Sequence, residues 1–257
     1  KSHIDGRPIR FTPESSVNAQ IELGADIIMC LDQCVTYPIS WEEAREAARR
    51  TTLWAQRQRE MSVPEEQALF GIVQGSTYKD LREESAAGIA ALDFPGHALG
   101  GFSVGEPKPS FYELLNHTAN LLPQEKPRYL MGVGHPVDLI EGVLSGIDMF
   151  DCVLPTRNAR HGRVYTFQGQ LNMRNAGHAD DLRPIEEGCD CAACRSFSRS
   201  YIRHLLVADE MLASTLLSIH NIRFFQRFME RLRSSVSNGS VATFREEMER
   251  LYPTSEK

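Results

Sequence analysis

Ala68-Leu-Phe-Gly-Ile-Val-Gln74 is an apolar run that ends in an amide side chain, followed by Gly75 and a helical pattern to about Ala91. An unbroken apolar run of that length fits a strand covered on both faces, as in a parallel sheet, better than an alternating edge strand. The unit recurs on both sides. Upstream, Thr12-Pro13-Glu14 opens a helix that should end near Gly24, then Asp26-Ile-Ile-Met-Cys-Leu-Asp32 ends in a carboxylate and a helix runs from about Ser40 to Glu60. Downstream come a strand from His97 to Val104, a helix over 109–121, a strand Arg128-Tyr-Leu-Met131, a helix from Pro136 to Leu144, and a fifth strand from Asp148 to Leu154. Repeats of roughly 30 residues with a polar residue at each strand end predict a TIM (β/α)8-type barrel whose site lies on the C-terminal face. Five units are too few for eight. The expectation is therefore a barrel incomplete at its N-terminus, with an open doubly wound sheet as the alternative.

The expected division is 1–154 as the partial barrel carrying the site and 155–257 as a zinc-binding subdomain with closing helices. After Pro155 the pattern changes to a hairpin over 163–174, a cysteine cluster, and helices over about 195–206, 209–219, 221–234 and 238–251. A net charge of -6 argues against a protein that coats nucleic acid with its whole surface, yet it leaves room for a local basic patch. No long apolar run or signal-peptide core occurs, so a cytoplasmic protein away from membranes is expected. The chain starts without methionine at what reads as a strand end, and an N-terminal portion is expected to be absent.

Cys189, Cys191 and Cys194 lie within six residues, a clustering that suits a tetrahedral ion far better than a disulfide framework. His220 completes the set, with His204 as its competitor and three free thiols as the bland reading. Four protein ligands would make a closed structural Zn2+ site, one per chain, with no position left for a reactive water. Gly132-Val-Gly134 is only half of a dinucleotide fingerprint, and no phosphate loop is present.

The remaining polar residues gather at the strand ends. Asp32, Gln74, Gly101, Met131 and Asp151 together could read the edge of a planar heterocycle and pack on its face. Asp151 falls among apolar residues at the end of its strand, where a carboxylate must be paired or chemically employed unless it caps the next turn. Arg157, Arg160 and Arg163 follow directly and suit phosphates. The arginines at 45, 49, 50, 57 and 59 read more simply as a solvated helix face.

These residues resemble the tRNA-guanine transglycosylase family. The matching stretches are Ser2 to Gly6, Asp32-Gln-Cys34 with Tyr37-Pro38, Gly71 to Gly75, Gly100 to Glu106, Tyr129 to Gly134, Asp148 to Arg157, and the cysteine cluster with its distant histidine. The resemblance implies exchange of guanine at the tRNA wobble position for a 7-deazaguanine. Asp151 would be the nucleophile, Asp32 and Gln74 would read the base edge, the Gly101 backbone would contact an exocyclic group, and Met131 would pack on the ring. Arg157 and Arg160 would hold the anticodon of a tRNA with a GUN sequence. Val104 implies preQ1 rather than queuine as the incoming base, since a smaller residue makes room for the larger base. Gln33 stands where the resemblance leads one to expect glutamate. The family's general acid/base aspartate and a base-sandwiching aromatic residue would lie upstream of this sequence, so an active full-length transglycosylase and a severely impaired isolated chain are expected, and a homodimer is implied. The rival reading is a non-catalytic, zinc-stabilised tRNA-binding partner subunit, which would have no use for Asp151, Asp32 and Gln74.

Overall fold

A computed structural model describes residues 1–254. Among the described residues the chain forms two compact units, the first comprising Lys1–Val133 and Glu141–Asp151, the second comprising Gly134–Ile140 and residues 152–254. In the first unit, strands β1 (Ile27–Met29), β2 (Ala68–Val73), β3 (Gly96–Leu99), β4 (Arg128–Leu130) and β5 (Met149–Phe150) form one parallel sheet in sequential order. Helices α1 (Pro13–Leu23), α2 (Trp41–Arg59), α3 (Lys79–Ala90) and α4 (Lys108–Asn120) alternate with them, and α5 (Pro136–Leu144) is shared between the two units. Sequential parallel strands with intervening helices fit an incomplete (β/α) barrel, because each crossover returns the chain beside the strand it left. The core joins Ile28, Ile72, Val73, Phe94, Leu99, Phe111, Leu115 and Leu130, all buried. Each such side chain contributes roughly 2 kcal/mol through removal from water.

Local signals place the ends. Thr12 and Ser15 form a reciprocal capping box at the start of α1, and Gly24 closes it at φ 71°. Ser40 accepts from the Glu43 N–H and starts α2. The arginines of α2 are less idle than a solvated face implies. Arg57 forks onto Glu14, Arg49 and Arg50 pair with Glu46, and Arg59 donates to the Leu92 carbonyl.

The strands are shorter than their apolar runs. β3 stops at Leu99 and β5 at Phe150, so residues 100–105 and 151–153 are loop. Pro155, read from sequence as a strand terminator, instead occupies the first turn of helix α6 (Leu154–Arg160), where its missing N–H costs nothing.

The second unit holds the antiparallel hairpin β6 (Arg163–Thr166) and β7 (Gly169–Asn172), then α7 (Ala192–Ser196), α8 (Arg199–Val207), α9 (Met211–Ser237) and α10 (Val241–Leu251). The two helices expected over 209–219 and 221–234 are one 27-residue helix. Its buried face carries Leu216, Leu217, His220, Phe224, Phe228 and Leu232 in unbroken helical spacing, so packing continues straight through His220. No helix among the described residues is long and apolar enough to cross a membrane.

His97 on β3 is fully buried, and neither ring nitrogen finds a hydrogen-bond partner among the described residues. Burial, then the nearby Lys126 and Arg128 charges, push its pKa down from 6.5 to about 4. The folded pKa lies below the unfolded one, so between those values the unfolded chain binds the extra proton and stability falls as pH falls. Lowering pH from 7 to 4.5 should cost the protein about 2 kcal/mol more than it costs His97→Phe, in denaturant titrations at each pH. Parallel losses in the two proteins would show that His97 is not responsible.

Candidate active site

Because the sheet is parallel and sequentially ordered, the residues that follow its strands line one edge. Asp32 follows β1, Gln74 follows β2, Gly101 follows β3, Met131 follows β4 and Asp151 follows β5. Neighbouring strands stand about 4.8 Å apart, so residues at consecutive strand ends come within side-chain reach of one another.

Asp32 and Gln74 are joined directly, the Gln74 amide nitrogen donating to the Asp32 carboxylate at 2.6 Å. Burial pushes the Asp32 pKa up, and the hydrogen bond from Gln74 partly opposes this. Gln74 is itself fixed, since its backbone N–H donates to the Ser85 hydroxyl of α3 at 3.0 Å. Its amide oxygen is buried and accepts nothing among the described residues.

Gly101 lies against the Gln74 side chain at φ 69°, and a Cβ there would stand 2.5 Å from the Gln74 amide oxygen. Only glycine permits both that backbone conformation and that approach. The loop that follows is tied by Glu106, whose carboxylate accepts from the Ser103 N–H at 2.5 Å and the Val104 N–H at 2.9 Å. Sequence reasoning assigned Glu106 no role. Two successive amides held by one carboxylate fix where the half-buried Val104 stands.

Cys34 as a whole is exposed in the same region, but partial desolvation of its sulfur, then the Asp32 charge, push its thiol up. Gln33 turns to α2, accepting from Arg50 at 2.6 Å.

Asp151 departs from expectation. It is exposed rather than enclosed by apolar side chains, and it caps no helix, since α6 begins only at Leu154 with Val153 as its N-cap. One carboxylate oxygen nevertheless accepts from the Tyr129 hydroxyl at 2.6 Å and from the Gly132 N–H at 2.7 Å. Burial, then the bond to Asp151, push the Tyr129 hydroxyl up, so it remains a donor at neutral pH. The result is a carboxylate pinned through one oxygen, with the other free of side-chain or backbone donors among the described residues. Met131, half-buried, follows directly after β4, its N–H on the Leu99 carbonyl at 3.3 Å. Arg157 and Arg160 are both exposed on α6.

In the second unit the cysteine cluster meets His220. The histidine Nδ1 lies 3.7, 3.8 and 3.3 Å from the sulfurs of Cys189, Cys191 and Cys194, and all four donor atoms fall within 4.8 Å of one another. A tetrahedral zinc with ordinary bond lengths would place such atoms about 3.5–3.8 Å apart. The opposite ring nitrogen, Nε2, faces the Tyr165 carbonyl at 2.8 Å, which fixes the tautomer that leaves Nδ1 unprotonated toward the sulfurs. The contact between Cys191 and Cys194 pushes the first thiol down and the second up, as for two sulfurs that share one proton. These residues can hold a metal ion. His204, the competing ligand, is exposed on α8 instead.

A family model described as queuine tRNA-ribosyltransferase matches residues 1–254. The chain is 55% identical over 252 residues to a queuine tRNA-ribosyltransferase of Pelotomaculum thermopropionicum, covering 98% of this chain and 68% of that protein. It is 55% identical over 246 residues to one of Symbiobacterium thermophilum, covering 95% and 62%, and 52% identical over 248 residues to one of Acetivibrio thermocellus, covering 96% and 66%. The chain thus spans about two thirds of the length of these curated relatives. With a match across every described residue and identities near one half along nearly its whole length, the chain belongs to the queuine tRNA-ribosyltransferase family.

Proposed function

We propose that this chain carries the exchange site of a tRNA-guanine transglycosylase, a pentosyltransferase that replaces guanine at the anticodon wobble position in queuosine synthesis. The observation that carries the reading is the pinned Asp151 carboxylate on the same strand-end row as the coupled Asp32–Gln74 pair. In the first step a carboxylate oxygen of Asp151 bonds to the ribose C1′, the bond from C1′ to the purine nitrogen breaks, and guanine leaves with that electron pair. In the second, the ring nitrogen of the incoming base attacks C1′, the bond to the carboxylate breaks, and the ring N–H proton passes in net to the departed guanine nitrogen, so two inversions retain configuration. Tyr129 and Gly132 hold the attacking group and accept none of the substrate's atoms. Asp32 and Gln74 read the base edge, the Gly101 N–H meets its exocyclic acceptor, Met131 packs on its face, and Arg157 and Arg160 bind the anticodon.

The same reading makes the metal a structural Zn2+, held by Cys189, Cys191, Cys194 and His220, that braces the second unit. It makes the partner a tRNA with a GUN anticodon and the protein a cytoplasmic homodimer. Between incoming bases it favours preQ1, because Val104 takes the space that the cyclopentenediol of queuine would need. Exchange of labelled guanine out of tRNA, with preQ1 and queuine in competition, tests the exchange reaction and the base preference together. PreQ1 should win by at least about tenfold, and Val104→Gly should narrow that margin, a difference that loss of one close contact readily supplies. Queuine outcompeting preQ1 would overturn the assignment of Val104, and no guanine release by a protein that also carries the upstream aspartate would overturn the function.

A further inference from the structure

Among the largest side chains without solvent exposure is a cation, Arg82, in the first turns of α3. Burying a charge is costly unless its donors are satisfied. Three carbonyls do this: Nε donates to Ser76 at 2.9 Å, and the two Nη atoms donate to Gly100 at 2.9 Å and to Gly101 at 3.2 Å. The guanidinium also lies 3.8 Å over the Phe102 ring. No carboxylate among the described residues forms an ion pair with it, although the Glu106 charge acts on it from further off. Burial lowers its pKa to about 9, which leaves it protonated at neutral pH. Neutral donors could tie the two loops together at less cost, so the retained charge calls for an explanation.

The explanation lies in which carbonyls it holds. Gly100 C=O and Gly101 N–H are the two ends of one amide group. A cation on the oxygen end draws electron density across the amide and makes its N–H a stronger donor. We propose that Arg82 is a positioning residue that polarises the Gly100–Gly101 amide, so that the Gly101 N–H binds the exocyclic oxygen of a guanine-type base more tightly. An N–H can only donate, and on the guanine edge the exocyclic acceptor is that oxygen. As the glycosidic bond breaks, negative charge spreads onto the purine and its oxygen, and a prepolarised donor is worth most at that moment. Arg82 touches no substrate; it acts through the backbone it holds. This inference rests on the base-exchange reading above.

The test titrates the full chain with guanine and with 2-aminopurine, which keeps the amino group but lacks the exocyclic oxygen. Arg82→Met should weaken guanine binding by about fivefold while leaving 2-aminopurine within about twofold, the loss being the added strength of one hydrogen bond rather than the whole bond. Arg82→Lys, which retains the charge without the fork, should fall between, again for guanine alone. Should the methionine variant not fold, the lysine variant carries the same comparison. Equal losses for the two bases would make Arg82 a structural clamp only and overturn the proposal, as would no loss for guanine. If the unsubstituted protein binds guanine no better than 2-aminopurine, the base-exchange reading itself fails, an outcome visible before any variant is made.

Discussion

Asp151→Asn is expected to lower guanine exchange by on the order of 10⁴-fold, because the amide keeps the shape of the side chain but cannot bond to C1′ and leave again. Binding of tRNA should stay within about threefold, since Asp151 is not among the residues proposed to hold the anticodon. The size of the effect follows from what the carboxylate does. A group that splits one displacement into two cannot be replaced by its neighbours, whereas a contact that merely positions substrate is worth one or two factors of ten. The geometry also says why the residue is ready to act. Tyr129 and Gly132 occupy the same oxygen, fixing the carboxylate plane while leaving the second oxygen to the substrate. The rival reading, a zinc-stabilised binding subunit without catalysis, predicts no exchange before the substitution and no change after it.

The second large effect concerns the metal. Stripping it with a strong chelator should unfold the 189–220 region, because three thiolates and a histidine crowded within 4.8 Å repel or misprotonate without a cation between them. Ligation in such small sites supplies about 10 kcal/mol of apparent folding free energy. Cys189, Cys191, Cys194 and His220 also pack in the interior of the second unit, so the helices there lose their anchor at the same time. Melting followed by circular dichroism, together with metal analysis, checks this: about one zinc per chain and a lost cooperative transition after chelation. An unchanged melt, or a protein purified folded without metal, would remove zinc from the account. Because the four residues would fill a tetrahedral shell, an ion held there would have no position to offer a substrate.

Much of this was legible in the sequence for physical reasons. Parallel strands covered on both faces leave unbroken apolar runs, so β2 and its neighbours could be read with their polar ends. Three cysteines within six residues on a turn announce a metal wherever the fourth ligand lies. What could not be read depends on pairing across the chain. Tyr129 pairs in register with Met149, two residues before Asp151, so its hydroxyl reaches forward on the same face to the carboxylate. Nothing within the Tyr129 segment signals that register. The same holds for Arg82, which in sequence is one charge on an amphipathic helix, and for Glu106, which reads as a surface acid. Pro155 misled because a proline ends a strand and opens a helix with equal ease. His220 appeared to end a helix because the run of apolar residues pauses around it, yet its buried face continues from Leu217 to Phe224.

The central claim is that a bond forms between the Asp151 carboxylate and the ribose of the wobble nucleotide. Mixing the protein with a guanine-containing anticodon stem-loop, quenching with denaturant, and mapping the digested adduct by mass spectrometry tests it most directly. The account predicts an RNA-derived mass on the peptide containing Asp151, chased away by added preQ1. An adduct on any other residue, or base exchange that proceeds with no adduct at all, would contradict it.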